Sequence, residues 1–89
     1  MNGSVQVRVN LSDVGRLVET AVKLMVDQPD EVVVYEVDGT QATVIEVEVA
    51  RDDFGKLVGK RGRNVDALRD LLFAMGGRAH RRFALQILE

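Results

Sequence analysis

Apolar residues recur along this chain at two spacings, and the order of these spacings limits the fold more than any other feature. A spacing of three and four residues is typical of one face of a helix, whereas strict alternation is typical of a half-buried strand. Helical spacing covers about residues 12–27 and returns over about 54–75, while strand-like alternation covers 31–37, 42–49 and 80–88. The chain therefore predicts the order helix, strand, strand, helix, helix, strand.

The first helix has recognisable ends. Ser12 is a suitable N-cap, because its hydroxyl can accept a hydrogen bond from a free backbone N–H of the first turn. Pro29 prevents the helix from continuing beyond about residue 27. Gly15 weakens the first turn without breaking the helix. We therefore predict a helix over about residues 12–27.

The two central strands are joined by the short polar link DGTQ. Its Asp-Gly pair favours a tight turn, so these strands are predicted to form a hairpin. Valine and isoleucine alternate with glutamate in the second strand, which predicts one buried and one solvated face. The apolar set is Ile45, Val47 and Val49, and the polar set is Glu46 and Glu48.

The second and third helices are separated by the tetrapeptide GKRG. Asp52 or Asp53 is predicted to cap the short second helix. The third helix is predicted to run from about residue 63 to 75 and to end at the Gly76-Gly77 pair, because glycine is the commonest residue after a helix. Its expected core face consists of Val65, Leu68, Leu71, Leu72 and Met75.

These elements predict an α+β domain of two layers, with three helices on one face of a three-stranded sheet. Residues 5–9, VQVRV, also alternate and form either a short extra strand or a frayed tail. We place the domain at residues 11–89 and treat residues 1–10 as an N-terminal extension or short strand.

Composition excludes several classes of chemistry. The 89 residues contain no cysteine and one histidine, His80, so neither a thiolate metal site nor a His-pair site can be built from this chain. No nucleophile, base or metal set converges, so we expect a non-enzymatic protein without a cofactor. No segment has the length and apolarity of a signal peptide or membrane span.

Charge is distributed unevenly. Residues 1–50 have three basic and nine acidic residues, a net charge of −6, whereas residues 51–82 have nine basic and four acidic residues, a net charge of +5. The overall charge of −2 argues against general coating of nucleic acid. The local excess of positive charge favours one focused anion site.

The GKRG tetrapeptide does not belong to a nucleotide-binding motif. A P-loop requires G-x-x-x-x-G-K-[ST], whereas Gly55 and Gly59 are four residues apart and Arg61 stands in place of the hydroxyl residue. The dinucleotide motif G-x-G-x-x-G also fails, because its second glycine is replaced by Leu57.

Two interpretations of the tetrapeptide remain. In the first, Gly59 and Gly62 supply the positive φ angles of a tight turn between two helices, and Lys60 and Arg61, which need no such angle, only keep the loop soluble. In the second, the glycines let a phosphodiester backbone approach the main chain at the start of a helix, where the dipole favours an anion. A helix–GxxG–helix element of this kind is the RNA-binding element of KH domains, whose loop clamps about four nucleotides.

The residues around the loop carry a wider resemblance. The segments LVETAVKLMVDQPDEVVVYEV, TVIEVEVARDDFGKLVGKRGRNVDALRDLL and RFALQIL resemble the small bacterial stand-alone KH proteins of the KhpA family, from about residue 17 to 89. The resemblance implies the type II KH topology. It also implies a cytoplasmic RNA-binding protein, of an RNA-chaperone-like kind, that acts on many transcripts.

Transferred to this sequence, the resemblance implies binding of single-stranded RNA through the loop and an adjoining groove. It also implies a homodimer, a heterodimer with a larger KhpB-like partner, or both. Arg69 faces either bases or solvent, and we include it among the candidates. The candidate RNA-binding residues are Gly59, Lys60, Arg61 and Gly62 in the loop, Lys56 and Arg63 beside it, Val58 and Val65 in the groove floor, and Arg69.

Other features support alternatives that the sequence leaves open. Most of the four aromatic residues (Tyr35, Phe54, Phe73 and Phe83) are expected in the core rather than against bases. The cluster of Arg78, Arg81 and Arg82 is expected at a solvated strand entry rather than in a second phosphate site. A stripe formed by Ala67, Leu71 and Ala74 is either a core edge or a protein contact. The stripe and the acidic half support an alternative function, a KH-fold protein-interaction module.

Overall fold

The computed structural model describes residues 6, 7 and 10–89 and contains four strands and three α-helices. The connections between these elements contain short 3₁₀ turns at Pro29–Glu31, Arg51–Asp53 and Lys60–Gly62. The order agrees with the predicted α-β-β-α-α-β pattern, with one strand added in front. The elements are β1 Gln6–Val7, α1 Asp13–Met25, β2 Val33–Asp38, β3 Ala42–Glu48, α2 Phe54–Val58, α3 Arg63–Ala79 and β4 Arg82–Leu88.

The strands form one sheet in the order β1-β2-β3-β4. The hairpin strands β2 and β3 are antiparallel, whereas β3 and β4 are parallel, since the chain between them crosses over through two helices. The short N-terminal strand that the sequence left open is present, because Gln6 and Val7 pair with Asp38 and Val37. The remainder of the predicted strand at 5–9 lies outside the described residues.

The core lies on one face of the sheet, between the strands and all three helices. Ile45 and Val47 of β3 are fully buried there, as their alternation predicted. The helices contribute buried faces at the expected spacing, although Leu17 of α1 and Leu71 of α3 are exposed. The largest helical contributors to this cluster are Val18, Val22, Leu57, Val65, Leu68 and Leu72.

Gly15 in α1 makes room for a buried carboxylate. Ser12 caps the helix as predicted, because its hydroxyl accepts a hydrogen bond from the Gly15 N–H at 3.2 Å. Its own N–H and O–H both donate to Oε1 of Glu36 in β2 at 3.0 Å. A Cβ on Gly15 would lie 2.3 Å from the same oxygen. Glycine is therefore required for α1 to lie this close to β2.

The predicted end of the third helix is wrong. Gly76 and Gly77 lie inside α3, which ends four residues later than expected, at Ala79, with His80 in the left-handed region at φ 54°. Gly76 is buried, and a Cβ there would lie 2.4 Å from the carbonyl oxygen of Arg81. The Gly76 carbonyl accepts a hydrogen bond from the Arg81 N–H at 3.0 Å. Gly76 thus provides close packing against the chain entering β4.

The predicted capping role of Asp52 or Asp53 is also wrong. Asp53 occupies the N-cap position of α2, but its side chain does not bond to that helix. Its buried carboxylate instead accepts hydrogen bonds from the backbone N–H groups of Asp27 and Gln28, at 3.1 and 2.9 Å. These two donors satisfy the buried carboxylate. The same two hydrogen bonds join the segment after α1 to the start of α2.

Contrary to expectation, two of the four aromatic side chains are exposed, and of the other two only Phe83 packs against the core. Tyr35 lies on the open face of the sheet, where its hydroxyl donates to Glu48 at 3.3 Å. The negative charge of Glu48 raises the pKa of Tyr35. Phe73 is 84% exposed, because it follows the buried Leu72 and so points about 100° away from the core face of α3.

Candidate nucleic-acid interface

The GKRG turn joins α2 to α3 through two glycines with positive φ. Gly59 has φ 81° and ends α2, and Gly62 has φ 75° and precedes α3. The Gly59 N–H donates to the Gly55 carbonyl at 2.9 Å, and the Gly62 N–H donates to the Gly59 carbonyl at 3.0 Å. These bonds make the turn a compact, ordered platform at the positive end of the α3 dipole.

The two glycines differ in what surrounds them. A Cβ on Gly59 would lie 2.7–2.9 Å from the side chain and backbone of Asn64, so this position is restricted by both conformation and contact. A Cβ on Gly62 would meet nothing within 4 Å. The backbone at Gly62 therefore faces open space, as close approach of a ligand requires.

Asn64 is a site residue that sequence reasoning missed. Its side-chain N–H donates to the Lys56 carbonyl at 3.0 Å and thereby joins the last turn of α2 to the first turn of α3. An asparagine two residues after a glycine turn often satisfies nearby backbone groups, and this pattern was the available clue. The contact fixes the angle at which the two helices leave the turn.

Three cations surround the turn without partners. Within residues 10–89, the side chains of Lys60, Arg61 and Arg63 form no hydrogen bond or ion pair, and all three are exposed. One expectation is corrected: Arg61 itself adopts positive φ, at 57°, whereas the sequence assigned this conformation to the glycines alone. The loop consequently presents a positive surface whose charges no carboxylate neutralises.

Lys56 differs from these three cations. Its ammonium lies 2.8 Å from a carboxylate oxygen of Asp27, and this hydrogen bond, together with the negative charge, raises the pKa of Lys56. The lysine was predicted to flank the loop as a candidate RNA contact. In the structure its charge is already paired.

An apolar groove opens beside the turn, between α2, α3 and β4. Its volume is about 470 Å³, and Val58, Val65, Leu85 and Ile87 supply its apolar surface. The structure thus brings both predicted floor residues, Val58 and Val65, into this groove, with β4 opposite them. The polar groups of the groove belong to Asp66, Arg69 and Gln86. We call this cavity the first groove.

Arg69 crosses from α3 to β4 at the border of the first groove. Its guanidinium donates to the Leu85 carbonyl at 3.4 Å and lies 3.9 Å from the Asp66 carboxylate. The side chain therefore borders the groove while 53% of it stays exposed to solvent, and its contact with bases stays a prediction.

Comparison with known proteins agrees with this geometry. Residues 15–87 match the family model described as KhpA/KhpB, KH domain. The chain belongs to this family. A protein named RNA-binding protein KhpA from Chlamydia pneumoniae is 43% identical over 76% of this chain and 87% of its own length. Proteins with the same name from Caldanaerobacter subterraneus and Aquifex aeolicus are both 42% identical, over 83% and 82% of this chain and 99% and 92% of their own lengths.

A search of solved structures gave no significant match. The names of these relatives describe RNA-binding proteins and state no enzymatic activity, which agrees with the expectation of a binding protein rather than an enzyme. Among the helices in the described part of this KH domain, none is long and apolar enough to cross a bilayer.

The three arginines near the start of β4 differ in their contacts. Arg81 donates to the Thr43 hydroxyl at 2.5 Å and to the Gly39 carbonyl at 3.0 Å, so it is held against the hairpin. The expectation of a solvated strand entry is wrong for this residue, because the hairpin supplies acceptors within reach. Arg78 and Arg82 are exposed, as is His80.

Proposed function

We propose that this KH domain binds single-stranded RNA, with the Gly59–Gly62 turn holding the phosphate backbone and the first groove receiving bases. One observation carries the proposal: three exposed cations with no partner in the described part of the chain surround a glycine turn that opens onto an apolar groove. The relatives named as RNA-binding proteins support it.

The turn suits a phosphate for three reasons. The open space at Gly62 lets an anion approach the main chain. The dipole of the 17-residue α3 is positive at this end, which favours negative charge there. Lys60 and Arg61 add charge-assisted contacts, which are stronger than neutral hydrogen bonds.

The first groove suits unstacked bases. Val58 and Val65 offer apolar surface to base faces, while Arg69 and Gln86 offer polar groups to base edges. The Asp66 carboxylate in the groove repels phosphate. This repulsion keeps the backbone at the turn and favours bases in the groove.

A single domain with so few contacts should bind weakly, with a Kd of roughly micromolar or about −8 kcal/mol. We infer that stronger binding needs a second domain, which raises the effective RNA concentration. A homodimer or a heterodimer with a KhpB-like partner would supply that domain. Broad action on many transcripts in the cytoplasm, in the manner of an RNA chaperone, fits contacts that are directed mainly to the backbone.

Competition between single-stranded and fully paired RNA tests the mechanism. We expect a labelled single strand to be displaced by unlabelled single strands and poorly by a perfect duplex of the same length. Paired bases cannot enter the groove, and the major groove of the duplex is too narrow for the turn. Equal displacement by the duplex would show plain charge attraction and would overturn the proposal.

A second candidate function is protein interaction, and one observation favours it. The Ala67, Leu71 and Ala74 stripe on α3 is exposed. Sedimentation of the wild type and of Leu71→Asp tests this function. We expect a dimer at micromolar concentration that the substitution weakens. A monomer with unchanged RNA binding in both proteins would leave RNA binding as the only function supported.

A further inference from the structure

A second groove continues from the first along the same side of the molecule. It lies between the C-terminal half of α3 and the first half of β4, has a volume of about 720 Å³, and shares Arg69 and Leu85 with the first groove. Its surface is mainly apolar and includes the rings of Phe73 and Phe83. The two grooves are therefore adjacent, and the hydrogen bond from Arg69 to the Leu85 carbonyl lies at the border between them.

Phe73 is the unusual residue of the second groove. A phenylalanine ring is normally buried, yet this one is 84% exposed, and no described residue covers it. Leu24 on α1 is similarly exposed, at 83%, but lines no groove. An exposed ring beside a groove offers a flat apolar surface to a planar ligand.

Charge indicates which ligand fits the second groove. Its charged or titratable lining residues are Arg69, His80, Arg81 and Arg82, and no aspartate or glutamate is among them. Because Arg81 is held by the hairpin, Arg82 is the exposed arginine at the far end. Aromatic rings within a positively charged channel are the usual platform for single-stranded nucleic acid, since every base has a face that can stack.

We propose that a single-stranded RNA longer than the turn and first groove can hold continues into the second groove. There one base stacks on Phe73 and the adjacent phosphate pairs with Arg82. The inference rests on the proposed function of the first groove. It adds a base-stacking subsite on an element that contributes no residue to the GKRG turn.

RNA length separates the two sites. The turn and first groove hold about four nucleotides, and oligonucleotides of about eight reach the second groove. We expect wild-type affinity to increase from the shorter to the longer single strand. Phe73→Ala should reduce binding of the longer RNA by about 5- to 160-fold, the range for loss of one stacked base. It should leave the shorter RNA unaffected.

Matched variants identify stacking as the cause. Leu24→Ala removes a similarly exposed apolar side chain outside both grooves and should change the affinity for neither RNA. Phe73→Leu keeps an apolar side chain but loses the ring and should behave as Phe73→Ala. Phe73→Trp keeps an aromatic ring and should bind the longer RNA about as tightly as the wild type. The natural chain contains no tryptophan, so all tryptophan fluorescence of this variant comes from position 73. This fluorescence should change when the longer RNA binds and not when the shorter one binds.

The outcomes distinguish failure of this inference from failure of the proposed function. If the wild type binds neither RNA, the proposed function is wrong and the inference fails with it. If both RNAs bind equally well and Phe73→Ala changes neither, only the inference is overturned. If Phe73→Ala converts a dimer to a monomer and weakens both RNAs equally, the ring belongs to a protein contact, which also overturns the inference.

Discussion

Two pairs of glycines mark α3, Gly59 with Gly62 before it and Gly76 with Gly77 near its end. In each pair one glycine is crowded and the other is open. A Cβ would collide with Asn64 at Gly59 and with the Arg81 carbonyl at Gly76, whereas it would meet nothing at Gly62 or Gly77. The first pair has positive φ and forms a turn, while the second pair is helical.

The charged residues beside the two pairs differ in the same way. Lys60 and Arg61 have no partner among the described residues, whereas Arg81 is bonded to Thr43 and Gly39 in the hairpin. The cations before α3 are therefore available to a ligand, whereas Arg81 attaches the chain after α3 to the hairpin. Changes at the first end should affect RNA binding, and changes at Gly76 should affect stability.

The largest expected effect is loss of RNA binding in Lys60→Asp/Arg61→Asp. Each substitution replaces attraction to a phosphate by repulsion, and one charge pair at ~4 Å contributes about 1 kcal/mol in water and ~4 kcal/mol at an effective dielectric near 20. We therefore expect affinity to fall by at least about 100-fold in an RNA titration. Aspartate tolerates the left-handed conformation of Arg61, so the melting temperature should stay nearly unchanged.

The control for this variant has the same change in net charge at a different place. Arg16→Asp/Lys23→Asp alters two exposed cations of α1 and should retain most of the affinity. Equal losses in both variants would mean that overall charge drives binding. A collapsed melt of the loop variant would make the turn purely structural, the first of the two interpretations that the sequence allowed.

The next effect concerns stability at the other end of α3. Gly76→Ala places a methyl group 2.4 Å from the Arg81 carbonyl oxygen, so the chain entering β4 must shift. Overpacking of this kind costs about 1–3 kcal/mol, and each kcal/mol lowers the Tm of a domain this size by about 4–8 °C. Thermal or denaturant unfolding measures the loss.

Gly77→Ala is the matched control for Gly76→Ala. The added methyl meets open space, and alanine is better than glycine inside a helix by about 0.5–1 kcal/mol. This variant should therefore be more stable than the wild type. If both substitutions stabilise the domain, the close contact at Gly76 does not restrict the fold, and the contrast between the two glycines disappears.

The sequence predicted the first end of α3 better than the second. The GKRG turn was recognisable because both its glycines and its flanking helical spacings are local. The role of Gly76 depends on a strand entry that approaches from outside the helix, and His80 takes the left-handed conformation expected of glycine. Local pattern rules therefore placed the helix end four residues too early.

Polar contacts between distant segments were not predictable either. Asp53 bonds to residues 25 and 26 positions earlier, and Glu36 bonds to Ser12 across 24 positions. The order of helices and strands and the core faces, by contrast, follow from spacing within single elements. The sequence predicted which residues lie near the site, but not which of their charges are already paired.

The salt dependence of RNA affinity measures how many cations of the protein neutralise phosphates. With Lys60, Arg61 and Arg63 as the unpaired charges at the turn, about three phosphates are neutralised. The slope of log K against log salt should then be about −2, at ~0.7 for each single-strand contact. A slope near zero would contradict the phosphate contact. A slope steeper than about −6 would require a second protomer or a larger basic surface.

The smallest expected effect comes from Asp27→Asn, which removes the carboxylate paired with Lys56. The backbone N–H of residue 27 still donates to Asp53, so the connection between α1 and α2 remains. Lys56 lies one helical turn before Lys60, and its released charge can contact RNA. We expect affinity to rise a few-fold and the salt slope to steepen by about 0.7. In the wild type Lys56→Met leaves the Asp27 carboxylate unpaired, so affinity should fall by no more than a few-fold. In the Asp27→Asn background the same substitution should abolish the gain. A strong loss of binding from Lys56→Met alone would show that RNA displaces Asp27 from the lysine, and the division between free and paired cations would then fail at the turn itself.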